Sequence, residues 1–503
     1  MFNRRSRACF AALLLVAVWF TTGEAAQSQD ALAGDIDAFV ERVIATGLTP
    51  GLAVGVVRAG HVTYAKGFGF ADRESGRRVT PDTLFYLAST TKSFTALGAA
   101  LLAQRGLIDL DAPVSRYLLG VAFHPSLSPD SITLRDLLTH THGIKPIGPV
   151  DFRTAYSGEF SEGELLRLVR LHPAAPGGRA FAYSNVGYNI FSLALDVRFK
   201  EGWKEILQRE VFEPLGMKST TAWISRADPQ RLAMPYEYRD GGLERVAYGK
   251  ADSNMQAAGG HVSSVDDLLR YLAAELNDGR IGDRQVLPVG VVASTQRAQV
   301  DQNRNFGPFH RTAWGLGWDI ATYEGDTILQ RFGDFSGFRS HVSFMPDRGV
   351  GVVVLSNGGS VSSPFTDLVA TYIYDRILGK PDLVVRYDGR LTTRRQQVDA
   401  IKKDRATRQA RPQTTPLPWA AYVGTYESEA LGHMAWTLDE AGRLTVRMGL
   451  ARGNAEVYDG SQYQFRVDLA GSGSVVTFVV PDGATAPTAL RFADQTFLRV
   501  GLE

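Results

Sequence analysis

Ser89, Thr90, Thr91 and Lys92 set a hydroxyl and an amine three residues apart, which on a helix is one turn and one face. A serine hydroxyl attacks poorly at neutral pH unless a neighbour takes its proton, so the pair reads as a nucleophile carrying its own base. Phe94, Leu97, Ala100 and Leu101 recur at helical spacing and predict a buried helix with Ser89 at its N-terminus. There the unpaired N–H groups and the positive end of the helix dipole hold developing negative charge. For Lys92 to accept a proton, burial or a cationic neighbour has to depress its pKa. The alternative reading of the tetrapeptide, taken alone, is a helix cap beside a solvated lysine. The chain has ten lysines, and a chance Ser-x-x-Lys is expected on the order of once per chain.

Tyr183-Ser184-Asn185 follows Pro176-Gly177-Gly178 and precedes a helical run from Tyr188 to Val197. A phenol whose pKa is lowered by Lys92 can shuttle protons between Ser89 and a leaving group. The Asn185 amide can meet both the lysine and a substrate carbonyl. On its own the tripeptide also reads as a capping pair beside a core tyrosine.

Together the two motifs resemble the first two active-site motifs of the penicillin-recognising serine hydrolases: class C beta-lactamases, D-alanyl-D-alanine carboxypeptidases and related esterases. The flanks resemble that family as well. They are Thr83-Leu84-Phe85, the run Leu137 to Gly143, the run Val211 to Met217, and Ala257-Ala258-Gly259-Gly260 followed by Ser264 to Leu268. The resemblance covers about residues 35 to 375. It implies an α/β (α+β) fold, with an antiparallel sheet flanked by helices, a helical subdomain on one side, and Ser89 in the cleft between them.

It also implies a third motif, a Lys or His, any residue, then Gly, on the strand that lines the cleft. Here the match is Arg331-Phe332-Gly333, a departure: arginine binds a substrate carboxylate bidentately but stays protonated and cannot pass protons on. By the same resemblance the N–H groups of Asp334 and Ser89 form the oxyanion hole. His142 stands where relatives usually carry a small serine. It is read either as narrowing the cleft entrance or as a packing histidine, and His140 is read as a loop hydrogen-bonder.

The remaining elements have to position these residues. Ala53 to Val57 and Val62 to Gly69 around Arg58-Ala59-Gly60-His61 predict one β-hairpin, and His341 to Met345 with Gly349 to Leu355 predict another. Strands at both ends with helices between them point to one antiparallel sheet closed by sequence-distant strands, over residues 31–380. Residues 381–418 form a polar basic linker or exposed helix. Arg386 to Arg411 carries nine basic and three acidic residues and runs into the Pro-rich stretch Arg411 to Pro418. Residues 419–503 carry five or six short strand signals and predict a small antiparallel β-barrel or sandwich without catalytic residues.

Residues 1–26 read as a signal peptide. Arg4, Arg5 and Arg7 precede the apolar stretch Ala8 to Phe20, and Gly23-Glu24-Ala25 supplies small side chains for cleavage after Ala25 or Ala26. The alternative is an uncleaved anchor, against which stands a stretch shorter than the ~20 residues a bilayer needs. The expected product is exported, periplasmic or extracellular, with no stable membrane span. Cys9 is the only cysteine, so cleavage leaves no disulfide, thiol catalyst or cysteine metal site.

The 503 residues are 44% hydrophobic and 21% charged with a net charge of +1, which favours no nucleic-acid partner. The nine histidines show no metal spacing, and there is no Gly-x-Ser-x-Gly and no phosphate loop. No metal or cofactor is expected. The expected activity is an exported serine hydrolase that forms an acyl-enzyme on an amide or ester: a D-amino-acid peptide such as a peptidoglycan stem, a beta-lactam, or a small ester. Ser89, Lys92 and Tyr183 are catalytic, and Asn185, Arg331, Gly333 and Asp334 bind substrate. The alternative, motivated by Arg331, is a cell-wall peptide or beta-lactam sensor that binds without turnover.

Overall fold

Alternation along two central strands divides the molecule into layers. Leu52, Val54 and Val56 face one way with Val350, Val352 and Val354, whereas Ala53 and Val57 face the other with Val353 and Leu355. Both sets are fully buried or nearly so, which requires cover on both faces of the sheet. The computed structural model describes residues 29–501 apart from 159, 240–241, 247–248, 470–472 and 493–494. The expected signal peptide, Cys9 included, lies outside the described residues.

The sheet has nine antiparallel strands. In chain order they are β1 (Gly51–Arg58), β2 (His61–Asp72), β3 (Arg77–Arg78), β4 (Val300–Phe306), β5 (Phe309–Trp314), β6 (Asp319–Tyr323), β7 (Asp326–Phe335), β8 (Phe338–Met345) and β9 (Val350–Ser356). The spatial order runs from β4 through β9 to β1, β2 and β3. Ala53 pairs with Leu355 and Val56 with Val352, so the first and last strands meet at the centre and the sheet is closed by sequence-distant strands, as the two hairpins predicted.

A helix over 29–44, α1, covers one face through Ile36, Phe39, Val40 and Val43. α2 (Thr91–Gln104), α3 (Val186–Phe199) and α4 (Val265–Leu276) belong to the core on the other face. α4 comes so near β1 that a methyl at Gly55 would sit 2.6 Å from Val265 and 2.8 Å from Leu269. α5 (Ser363–Ile377) joins α1, with Phe365, Val369 and Ile373 in the same core.

The basic segment folds as α6 (Leu383–Gln409), a 27-residue helix held by a narrow stripe of Leu383, Tyr387, Leu391 and Val398, its other side chains mostly in solvent. Beyond it, eight strands from Gly424–Ser428 to Gln495–Arg499 close an antiparallel barrel around Trp436, Tyr422, Tyr426, Phe465 and Phe478. The barrel core continues into the other domain through Val150 and Leu168, with Ile147, Phe152, Leu165 and Leu171 packed against it. Among the described residues no helix is long and apolar enough to cross a membrane.

Candidate active site

Ser89 sits in a single 3₁₀ turn, Ala88–Thr90, that runs directly into α2. Ala88 is held at φ +48°, a conformation an L-residue adopts only when its surroundings impose it. They do so here. Thr90 Oγ1 lies 2.8 Å from Ser340 Oγ, which donates in turn to the Leu87 carbonyl at 2.7 Å, and Leu87 N–H donates to the His261 carbonyl. Gly333 on β7 completes the clamp, since a Cβ there would overlap the Leu87 carbonyl. Glycine is required at that position because the strand backbone presses directly against the turn bearing Ser89.

α2 is buried on all sides from Thr91 to Leu102, so Lys92 is taken out of water with it and has no exposed surface. Its Nζ lies 3.1 Å from Ser89 Oγ, 2.8 Å from Asn185 Oδ1 and 2.7 Å from the Ala258 carbonyl. A neutral amine here donates to Asn185 and Ala258 and turns its lone pair to the Ser89 hydroxyl, which is what a base requires. Burial lowers the Lys92 pKa, and Tyr183 and Arg331 act on it in opposite directions. Asn185 directly precedes α3, and by accepting from Lys92 through Oδ1 it leaves its NH₂ for another partner.

The Tyr183 ring lies 4.9 Å from Lys92 Nζ and is 36% exposed. Burial pushes its pKa up, but Lys92 and Arg331 together outweigh burial and bring the phenol down to about 8. His140 and Trp314 flank the ring.

Arg331 is placed otherwise than the third-motif resemblance implied. Its guanidinium is buried, pairs with Asp319 at 3.0 Å, lies 4.8 Å from the Trp314 ring centre and donates to Tyr183 Oη at 3.3 Å. Asp319 also draws Arg311 at 3.3 Å and a Gln302 amide bond, so three strands converge on one carboxylate. Arg331 thus turns its Nη1 to Asp319 and its Nη2 to the phenol, while its buried Nε has no partner. Asp334, three residues on, does line the cleft beside Ser89.

His142 does not narrow the entrance. It is buried, its Nδ1 accepts from Ile144 N–H at 3.0 Å, and its Nε2 therefore donates to Ser184 Oγ at 3.1 Å. Burial drops its pKa to about 4, so it is a neutral prop under the Tyr183 loop. His140 accepts from Ser184 N–H through Nδ1 and is buried as well.

The cleft at Ser89 contains groups that motif reasoning missed. Asp151 and Asn189 line it, as do Lys250 and Phe335. Lys250 donates to the carbonyls of Ala155 and Asn254, each at 3.1 Å, and lies 4.2 Å from the Phe335 ring; burial lowers its pKa to about 7. Asp151 belongs to the short helix Gly148–Phe152, which the barrel props from behind: Arg153 donates to the Ala430 carbonyl, and Leu450 N–H donates to Ser157.

A second serine–histidine–aspartate chain exists and has no access to substrate. Ser343 Oγ is 2.7 Å from His341 Nε2, whose Nδ1 is 2.9 Å from Asp367, but Ser343 and His341 have no exposed surface. Among the described residues no cluster of His, Cys, Asp and Glu could hold a metal ion.

Residues 36–371 match the model of the beta-lactamase family. The unguisins hydrolase of Aspergillus campestris is 29% identical over 440 residues, 83% of this chain and 80% of its own length. Among solved structures, an octameric penicillin-binding protein homologue from Pyrococcus abyssi superposes with a TM-score of 0.59 at 22% identity, covering 93% of this chain and 99% of its own. A class C beta-lactamase from Rhodobacter sphaeroides superposes at 0.55 with 26% identity, covering 68% of this chain and 99% of its own.

Proposed function

Because the chain belongs to the beta-lactamase family, a group of hydrolases acting on amides and esters, we propose that it is an exported serine hydrolase working through an acyl-enzyme on Ser89. The observation that carries this is the Ser89–Lys92 contact of 3.1 Å, made by an amine that burial has stripped of part of its basicity. Lys92 and the Tyr183 phenolate share the proton of Ser89 as Oγ attacks the carbonyl carbon. The Ser89 and Asp334 N–H groups are the proposed donors to the oxyanion. Tyr183 returns the proton to the leaving amine or alkoxide, and water then cleaves the acyl ester, with the same pair taking its proton.

The substrate is a D-amino-acid peptide, a beta-lactam or a small ester, and neither metal nor cofactor is needed for these steps. The sensor reading is weaker because Arg331, which motivated it, contacts Tyr183, where it supports the proton chemistry of a hydrolase. Hydrolysis of a nitrophenyl ester and of a penicillin, compared between the parent and Ser89→Ala, tests the proposal. Turnover of either compound by the parent, abolished in the variant, is expected. Equal rates in the two proteins would remove Ser89 from the mechanism.

A further inference from the structure

The proposed mechanism assigns the two sides of the cleft. Tyr183 protonates the leaving group, so the leaving group departs on the side of its ring, against His140, Trp314 and Arg331. The recess lined by Ser89, Asp151, Asn185 and Asn189 does not include Tyr183 and takes the acyl part.

Two acceptors in that recess lack donors. Among the described residues neither oxygen of the Asp151 carboxylate accepts a hydrogen bond or pairs with a cation, and Asn189 Oδ1 is buried without a partner. Asn189 follows Asn185 by one helical turn, its N–H bonded to the Asn185 carbonyl, so both side chains emerge on the same face of α3. Lys92, the cation that acts on Asp151, already has three partners of its own. A buried acceptor without a donor is costly, as Asn189 Oδ1 is, and the half-buried carboxylate of Asp151 in the same recess also lacks one, so the site calls for a ligand that brings N–H groups.

We propose that Asp151 and Asn189 form an ammonium-binding subsite, so that the preferred substrate is an amide or ester whose acyl part carries a free amine, as an unblocked amino acid does. This inference rests on the serine-hydrolase reading. An ammonium supplies one donor to each carboxylate oxygen and one to Asn189 Oδ1, saturating the three positions. Asp151 carries the charge needed above about pH 6, because burial raises its carboxyl to that value while Lys92 opposes the rise. The apolar recess behind it, with Leu165, Leu168, Val186 and Ile190, shares Asp151 and Asn189 and is narrow enough to suit only a small apolar side chain on the same acyl group.

The test compares the 4-nitroanilides of D- and L-alanine with their N-acetyl counterparts at pH 7, where amine and Asp151 are both mostly charged, together with the 4-nitrophenyl ester of acetate as an uncharged reference. For at least one enantiomer the parent is expected to favour the free amine by about tenfold or more in kcat/KM, the factor a charge-assisted contact provides. Asp151→Asn is expected to abolish that preference, read as the ratio of free-amine to acetylated kcat/KM so that any effect of the lost charge on Lys92 cancels, and Asn189→Leu to reduce it in part. A parent that cleaves the acetylated compounds as fast as the free amines overturns the proposal without any variant. Equal losses on charged and uncharged substrates in Asp151→Asn also overturn it, since Asp151 would then serve the chemistry or the fold. If no substrate leaves an acyl group on Ser89, the hydrolase reading fails and the subsite falls with it.

Discussion

Replacing Arg331 by Met isolates what this arginine does. Its Nη2 lies 3.3 Å from Tyr183 Oη, and at an effective dielectric constant of ~20 a unit charge at that distance would stabilise a phenolate by roughly 5 kcal/mol. Asp319, 3.0 Å from the same guanidinium, offsets part of this, and the 36% exposure of Tyr183 admits solvent screening. What remains is of the order of one hydrogen bond to a charged group, about 1.5–3 kcal/mol, or about one to two pH units at ~1.36 kcal/mol per unit. The sign follows from the role of the phenolate. Arg331 helps bring Tyr183 down to about 8 and also lowers the Lys92 pKa, so its removal raises both members of the base pair. Because the deprotonated form is the active one, the acidic limb of the kcat/KM profile moves to higher pH by about one unit or more. Activity at pH 7 falls about tenfold and recovers towards the parent near pH 10. Methionine keeps hydrocarbon contact with Trp314, and Asp319 retains Arg311 and Gln302, so the fold should persist. A pH series on a nitrophenyl ester reads the limb. A limb that stays in place, or a loss that is uniform with pH, would refute the coupling between Arg331 and the phenol.

Three further outcomes are expected. Lys92→Ala should lower acylation by about 10²–10⁴-fold, the usual contribution of a positioned base, and leave a folded protein, as seen by stopped-flow kinetics beside circular dichroism. Gly333→Ala places a methyl against the Leu87 carbonyl. It should cost about 1–3 kcal/mol in denaturant unfolding and reduce turnover more steeply, since the displaced backbone is the turn that carries Ser89. Trp436→Ala empties the centre of the barrel, at about 3–5 kcal/mol. As Val150 and Leu168 share that core, the variant should show a lower melting transition together with a raised KM, while a KM equal to the parent's would detach the barrel from the cleft wall.

The candidate site was legible where geometry is local. Ser89 and Lys92 meet because one helical turn brings i and i+3 together, and a run that is apolar on every side can only be a buried helix, which explains the lowered amine. Both sheet hairpins were legible for the same local reason: short runs rich in β-branched residues, Ala53 to Val57 and Gly349 to Leu355, adjoin the turn residues Arg58 to His61 and Pro346 to Arg348. Arg331 was placed on its strand, but its direction was not readable. Asp319, two strand ends away, captures it through the pairing of β6 with β7, and nothing near Arg331 in the chain announces that.

The eight barrel strands read as five or six because Ala451–Asp459 lacks alternating apolar residues and Gly424–Ser428 is short and polar. The stripe that docks α6 has only four buried residues among those whose burial is described, too thin to stand out from a solvated segment. Asp151 escaped entirely. It lies outside every motif and reaches the cleft because a domain more than 250 residues later braces the segment that carries it, as the contact from Arg153 to Ala430, 277 residues apart, illustrates.

The identity of the nucleophile is tested most directly by acid-quenched mass spectrometry after incubation with a penicillin, a nitrophenyl ester and an amino-acid amide. A single acyl adduct located on Ser89 with at least one of them, and missing from Ser89→Ala, is the expected result. An adduct on any other residue, or undiminished turnover in Ser89→Ala, would contradict the assignment of Ser89 and with it the roles given to Lys92 and Tyr183.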